Sequence, residues 1–281
     1  MHAFDLLSSS PREYTGTQWL RIKVPWLLVT YFDMSDQSPL PIALDRPSSG
    51  RVLHLAPHAD DDVIACGGTL SLHAEAGDPV QVIVVFSGEA GDPDGRFDPT
   101  EYAAIRQREA RAGGEILGLH NYEFWNFPEG HTPVAEELIA VTHKLCARVL
   151  DLAPDIIYAP WIGEHHLDHY VLARVARMAL FAIDFQGEAW GWEVWTPLIP
   201  THIVDVTSVY DKKVAALEQH QTQLKYQDLV HMGLSISAQR SMYISTESRH
   251  GEALAPLGCP SEADQLLLSE AGITKGSLKR D

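Results

Sequence analysis

From Arg51 to about Tyr226 short β-branched runs alternate with longer segments of helical period, and this alternation limits the folds open to the chain. "RVLHLAP" and "PVQVIVVFS" read as buried strands, and "VIACGGTLSLHAEAG" between them reads as a helix ending at Gly77. "TEYAAIRQREARAGGEILGL" and "VAEELIAVTHKLCARVLDL" are strong helical patterns, "YEFWNF" and "DIIYAP" are strands, and a further helix runs from about Asp168 to Phe181. "THIVDV" and "VYDKKVAALEQHQTQLKY" add one more strand and helix. Strands joined through helices pair in parallel and are covered on both faces. The expected class is therefore α/β: a Rossmann-like, mainly parallel sheet with helices on both faces, plus N- and C-terminal extensions. Turn-forming clusters place an N-terminal extension at 1–50, a core at 51–232, and a C-terminal extension at 233–281 that packs on the same domain. "WGWEVW" reads as an aromatic hairpin or subdomain edge that contributes to substrate selection or subunit contact.

The chain has 281 residues, 45% of them hydrophobic, enough for one large core or at most two modest ones. Its 38 acidic against 21 basic residues give a formal charge of −17, which repels phosphate backbones and anionic lipids. Neither nucleic acid partners nor membrane insertion are expected. Cys66, Cys146 and Cys259 are too few and too scattered for a disulfide framework or a metal knuckle, which suits a reducing compartment. The first residues lack a basic segment followed by an apolar one, and "VPWLLVTYF" is too short to span a bilayer, so the expected location is cytoplasmic.

The polar residues at the ends of two of these strands carry the chemistry. In open α/β sheets ligands bind at the carboxyl ends of strands. "PHADDD" follows the first strand, placing His58, Asp60, Asp61 and Asp62 there. One aspartate suffices to cap the next helix, whereas three in a row repel one another unless a cation lies close by. After "DIIYAP" comes "WIGEHHLDH", with His165, His166, Asp168 and His169. Imidazole with carboxylate suits zinc or a similar first-row ion, and catalytic zinc takes three protein ligands with one position left open. Spacing alone does not choose among the possible triples. His73, His143 and His231 lie alone in amphipathic patterns, and Cys66 beside Gly67 and Gly68 reads as a packing residue.

"PHADDD" and "HLDH" resemble the PHPDDE and HPDH signatures of the PIG-L/LmbE-like deacetylases, with departures at Ala59, Asp62 and Leu167. "RQREARAGGEILG", "SGEAG" and "HQTQL" extend the resemblance over about residues 51–224. It implies removal of an N-acetyl group from an N-acetylglucosamine conjugate, a small-molecule substrate. It further implies His58, Asp61 and His169 as ligands of Zn2+ or another first-row divalent ion, and Asp60 as catalytic base. His166 would stabilise charge or donate a proton, Asp168 would orient its neighbouring histidine, and Asp62 would support the loop. Either Asp60 or His166 would protonate the leaving amine. Arg106 binds sugar hydroxyls or forms a helix salt bridge with Glu109 or Glu101. Glu89 and Glu129 line the pocket or are solvated loop carboxylates, and Trp125 and Trp161 stack on sugar or pack in the core. Two other readings compete: a magnesium-dependent haloacid-dehalogenase-like phosphatase built on Asp60 and Asp62, and a non-catalytic, metal-containing carbohydrate-binding protein.

Overall fold

Parallel strands need long crossovers, and the helices between these strands supply them. The computed structural model describes residues 40–279. Its strands are β1 (Ile42–Leu44), β2 (Val52–Ala56), β3 (Val80–Phe86), β4 (Asn121–Phe127), β5 (Ile156–Pro160), β6 (Glu188–Trp192), β7 (His202–Asp205) and β8 (Gly251–Pro256). The helices are α1 (Asp61–Glu75), α2 (Pro99–Leu117), α3 (Ala135–Leu152), α4 (Leu167–Ala182), α5 (Tyr210–Leu217), α6 (Leu229–Arg240) and α7 (Glu262–Glu270). One sheet holds all eight strands in the order β1-β7-β8-β6-β5-β2-β3-β4.

The chain lays β3 and β4 outward on one side of β2, then returns to place β5 on the other side, with Val52 opposite Ile156. The connections reverse direction between β2 and β5, and a crevice opens there at the strand carboxyl ends. Strand alternation divides the core. Val52, Val82 and Ile156 join Leu70 of α1 and Leu117 of α2 on one face, while Leu53, Ile83 and Ile157 join Leu145 of α3 and Val175 of α4 on the other.

Both flanks are more closely tied to the sheet than their sequence suggests. Residues 1–39 of the expected N-terminal extension lie outside the described residues, but Ile42–Leu44 pair in parallel with β7 as an edge strand. Within 233–281, β8 runs antiparallel between β6 and β7 and joins them into one sheet. "WGWEVW" is not a hairpin. Its first three residues end β6, which pairs in parallel with β5, and Trp192 is fully buried. The helix expected over 209–226 stops at Leu217 and is followed by a tight turn at Gln223–Lys225. There Glu109 of α2 accepts the Thr222 backbone N–H at 2.9 Å and its hydroxyl at 2.5 Å, bonds that draw this segment toward α2.

α1 is broken at Cys66, where φ is −128° and ψ is 15°. The freed N–H groups of Gly68 and Thr69 donate to the Glu252 carboxylate of β8 at 2.8 and 2.7 Å, and Lys213 of α5 donates to the same carboxylate at 2.7 Å. A Cβ at position 68 would lie 2.4 Å from Val206 Cβ, so only glycine fits.

His54 of β2 is fully buried, stacks on Trp192 at 5.6 Å, and has no partner for either ring nitrogen. Burial lowers its pKa from 6.5 to about 3 against a weak opposing pull from Asp61. The unfolded chain therefore binds this proton from pH 6.5 downward while the folded chain does not, so stability present above pH 6.5 is lost as pH falls toward 3. Between pH 6.5 and 4.5 this group alone should cost about 2 kcal/mol. His54→Leu, compared with the parent by urea unfolding at pH 7.5 and 4.5, should show a correspondingly smaller acid loss. Parallel pH profiles for the two proteins would contradict this account.

Candidate functional site

His58 leaves the end of β2, and α1 begins at Asp61 with Asp60 at its N-cap. The Asp60 side chain makes no capping hydrogen bond, so a helix cap does not account for it. Asp61 holds the turn closed: its Oδ2 accepts the His58 backbone N–H at 2.9 Å and lies 3.2 Å from His58 Nδ1. From the crevice's other wall, α4 begins after β5 with His166 at its N-cap and carries Asp168 and His169 in its first turn. His169 Nε2 lies 3.1 Å from the same Asp61 Oδ2. His58 Nε2 lies 3.1 Å from Asp168 Oδ2 and 3.3 Å from Glu129 Oε2. The two motifs, separated by more than a hundred residues of chain, thus share one cluster.

The cluster suits a cation. His169 is fully buried, yet neither of its ring nitrogens has a hydrogen-bond partner, and the 3.1 Å approach to Asp61 lacks hydrogen-bond geometry. Buried polar atoms without partners are rare in folded chains, and His169, unlike His54, has other donor side chains within ligand distance. His58, His166 and His169 each offer a donor atom within 4.8 Å of the others, and so do His58, Glu129 and Asp168. Burial works against a charge on His58, but hydrogen bonds to Asp168, Asp61 and Glu129 outweigh it and hold its pKa well above the ordinary value. Burial also opposes ionisation of Asp61, but His169 and His58 hold its pKa well below the carboxylate range. A positive charge at this point is what the surrounding carboxylates favour. Imidazole nitrogens with carboxylate oxygens form a donor set for a first-row divalent ion.

Asp168 bonds His58 from the other motif, whereas His166 Nδ1 stands 3.9 Å away. Arg106 is buried and makes no helix salt bridge. It pairs with Asp60 Oδ2 at 3.0 Å and donates to the Gly88 carbonyl at 2.9 Å. Glu129 meets His58, and its other oxygen accepts from the Ala90 N–H. Glu89 is exposed and does not line the cavity. Asp62 points away into the core, accepting from the Tyr122 hydroxyl at 2.6 Å. Burial, with Asp60 and Asp61 adding to it, raises its pKa to about 7 against the pull of Tyr122. Trp125 bonds Glu123 away from the cavity, and Trp161 packs against Gly163 and Gly191.

Two further residues stand at the site, Glu164, which sequence reasoning did not single out, and Trp195, the last residue of the "WGWEVW" segment. Glu164 is buried, with Oε2 3.7 Å from His169 Nδ1, and it accepts the Val194 and Trp195 N–H groups. Its position directly before "HHLDH" was the only hint. Trp195 lies over His166 at 5.8 Å with the rings 25° from parallel. A cavity of about 220 Å3 is lined by His58, Asp60, Asp61, Glu129, His166 and Asp168 together with Val194, Trp195, Leu229 and Met232.

Residues 53–180 match a family model described as PIG-L, GlcNAc-PI de-N-acetylase. Over that stretch the chain is similar to the PIG-L/LmbE-like deacetylases. It is 26% identical over 196 residues to a diacetylchitobiose deacetylase of Thermococcus kodakarensis, covering 62% of this chain and 70% of that one. It is 34% identical over 184 residues to a 1D-myo-inositol 2-acetamido-2-deoxy-alpha-D-glucopyranoside deacetylase of Kineococcus radiotolerans, covering 54% of this chain and half of the relative. The solved 4-carboxy-2-hydroxymuconate hydratase of Pseudomonas putida shares the fold with a TM-score of 0.65 at 21% identity, covering 75% of this chain and 98% of the hydratase. The PIG-L match over both motifs speaks against the haloacid-dehalogenase reading, which had no use for His58 or the HLDH cluster. Among the described residues no helix is long and apolar enough to cross a membrane.

Proposed function

We propose that this protein is a metal-dependent hydrolase that removes an N-acetyl or related N-acyl group from an N-acetylglucosamine-containing conjugate. The observation that carries this reading is the meeting of His58 and His169 on one carboxylate oxygen of Asp61, beside Asp60, in a PIG-L-like chain. His58, Asp61 and His169 would hold Zn2+ or another first-row divalent ion. When bound, such an ion supplies Lewis acidity toward water and the amide carbonyl.

The chain's own groups do the rest. Asp60 faces the cavity with Oδ2 fixed by Arg106, which leaves Oδ1 to take the proton from the attacking water. Burial, then the charges of His58 and His169, lower the His166 pKa, so at neutral pH its imidazole is neutral and its N–H can donate to the developing oxyanion. The leaving nitrogen receives its proton from Asp60 or His166. Asp168, hydrogen-bonded to His58, and the Glu164 carboxylate, 3.7 Å from His169 Nδ1, would orient the two rings.

Hydration of an unsaturated acid is the second reading, prompted by the hydratase neighbour. The cavity favours hydrolysis, because Arg106 is the only Lys or Arg among the described residues lining it and it is already held by Asp60. Metal analysis of the purified protein combined with acetate release from a panel of N-acetylglucosaminides tests the proposal. Dialysis against a strong chelator should reduce acetate release to background, and added Zn2+ or Co2+ should restore it. Full turnover by metal-free protein, or acetate release from no member of the panel, would overturn the reading.

A further inference from the structure

Trp195 stands at the cavity mouth with 45% of its surface exposed, yet the chain fixes its backbone with unusual care. Buried Glu164 accepts the Trp195 N–H at 3.1 Å and the Val194 N–H at 2.6 Å. On either side of the indole, Glu193 accepts from Arg240 Nε at 2.6 Å and from the Leu198 N–H, and Arg240 also donates to the Leu198 carbonyl at 2.9 Å. The segment 193–198 is thus clamped by two buried carboxylates and a buried guanidinium. Burying such ions is costly, and an indole that merely decorates the surface has no need of them. Its ring lies near parallel to His166, continuing the wall of the cavity outward.

The charges and the rest of the lining narrow what the indole meets. Asp60, Asp61, Glu129 and Asp168 line the cavity, and the one Lys or Arg among the described lining residues is already paired. Leu229 and Met232, with the uncharged amides of Gln223 and Gln227, complete the lining. Nothing there neutralises a phosphate or carboxylate, whereas an indole face and amide groups suit a ring with apolar C–H edges and hydroxyls.

We propose that Trp195 is the stacking platform for the ring joined to the N-acetylglucosamine unit, and that the preferred conjugates are uncharged in that ring, as in a neutral disaccharide. This rests on the deacetylase reading above. Acetate release and calorimetric binding are measured for N,N'-diacetylchitobiose, free N-acetylglucosamine and N-acetylglucosaminyl malate, using the metal-loaded parent, Trp195→Ala and Trp195→Phe. The alanine variant should raise KM for the disaccharide about tenfold, with a several-fold smaller effect on the monosaccharide, which has no second ring, and phenylalanine should recover most of the loss. The malate conjugate should have a kcat/KM at least roughly tenfold below the disaccharide's, since no unpaired Lys or Arg among the described lining residues is there to receive its carboxylates. A preference for the malate conjugate, or equal losses on mono- and disaccharide, overturns the platform. If nothing is hydrolysed but the disaccharide binds with heat that Trp195→Ala abolishes, the platform stands and the deacetylase reading falls. If nothing is hydrolysed and the disaccharide does not bind, the platform falls as well.

Discussion

Asp60→Asn should lower kcat by about 10² to 10⁴ while leaving metal content unchanged, the range expected when a general base is removed. Asparagine keeps the shape and one oxygen for Arg106, so the buried guanidinium is not stranded and the fold should survive. Its neighbour behaves differently. Asp61→Asn should lose metal as well as activity, because Asp61 Oδ2 is the atom on which His58 and His169 converge. Two adjacent aspartates with opposite signatures, one in kcat alone and one in bound metal, would separate base from ligand. Elemental analysis alongside kcat decides the matter, and an Asp60→Asn enzyme within about threefold of the parent would remove the base role. The same pair bears on the carbohydrate-binding reading, since a pure binding protein would show no turnover for Asp60→Asn to lose.

Glu252→Ala should lower the free energy of unfolding by about 3–5 kcal/mol, the cost of stranding one member of a buried ion pair. Glu252 and Lys213 are 3% and 1% exposed, so the lysine left behind has no water to replace its partner. The Gly68 and Thr69 N–H groups at the break in α1 lose their acceptor in the same step. Lys213→Met in the Glu252→Ala background should recover part of the loss, because the stranded charge is then gone and only the two N–H groups remain unpaired. Urea unfolding of the four proteins forms a double-mutant cycle. A single-variant loss below about 1 kcal/mol would mean that water or backbone movement heals the break. The consequence reaches the site, since the first turn of α1, ahead of that break, carries Asp61.

How far the chain could be read residue by residue depended on the range of the interaction. Strand and helix periods are local, and β2 through β5 with α1 to α4 follow them closely. The same is true of His58 and His169, whose motifs are dense enough in polar residues at strand ends to point to a cation. Glu89 and Glu129, by contrast, carry the same signal, a loop carboxylate after a strand. Only the fold brings Glu129 against His58 and leaves Glu89 in solvent. Asp168 looked like a partner for an adjacent histidine, but its hydrogen bond goes to His58, 110 positions away. Arg106 looked like half of a helix salt bridge and instead reaches across to Asp60.

The sequence by itself therefore determined the α/β class, the parallel crossovers and the two polar segments at strand carboxyl ends, because each is written in neighbouring residues. The tertiary structure alone decided that the sheet reverses its winding between β2 and β5, that β8 from the C-terminal stretch completes it, and which carboxylates, guanidinium and indole face the cavity. Those are choices among pairings distant along the chain, made by burial and charge satisfaction over the whole core, and no local period encodes them.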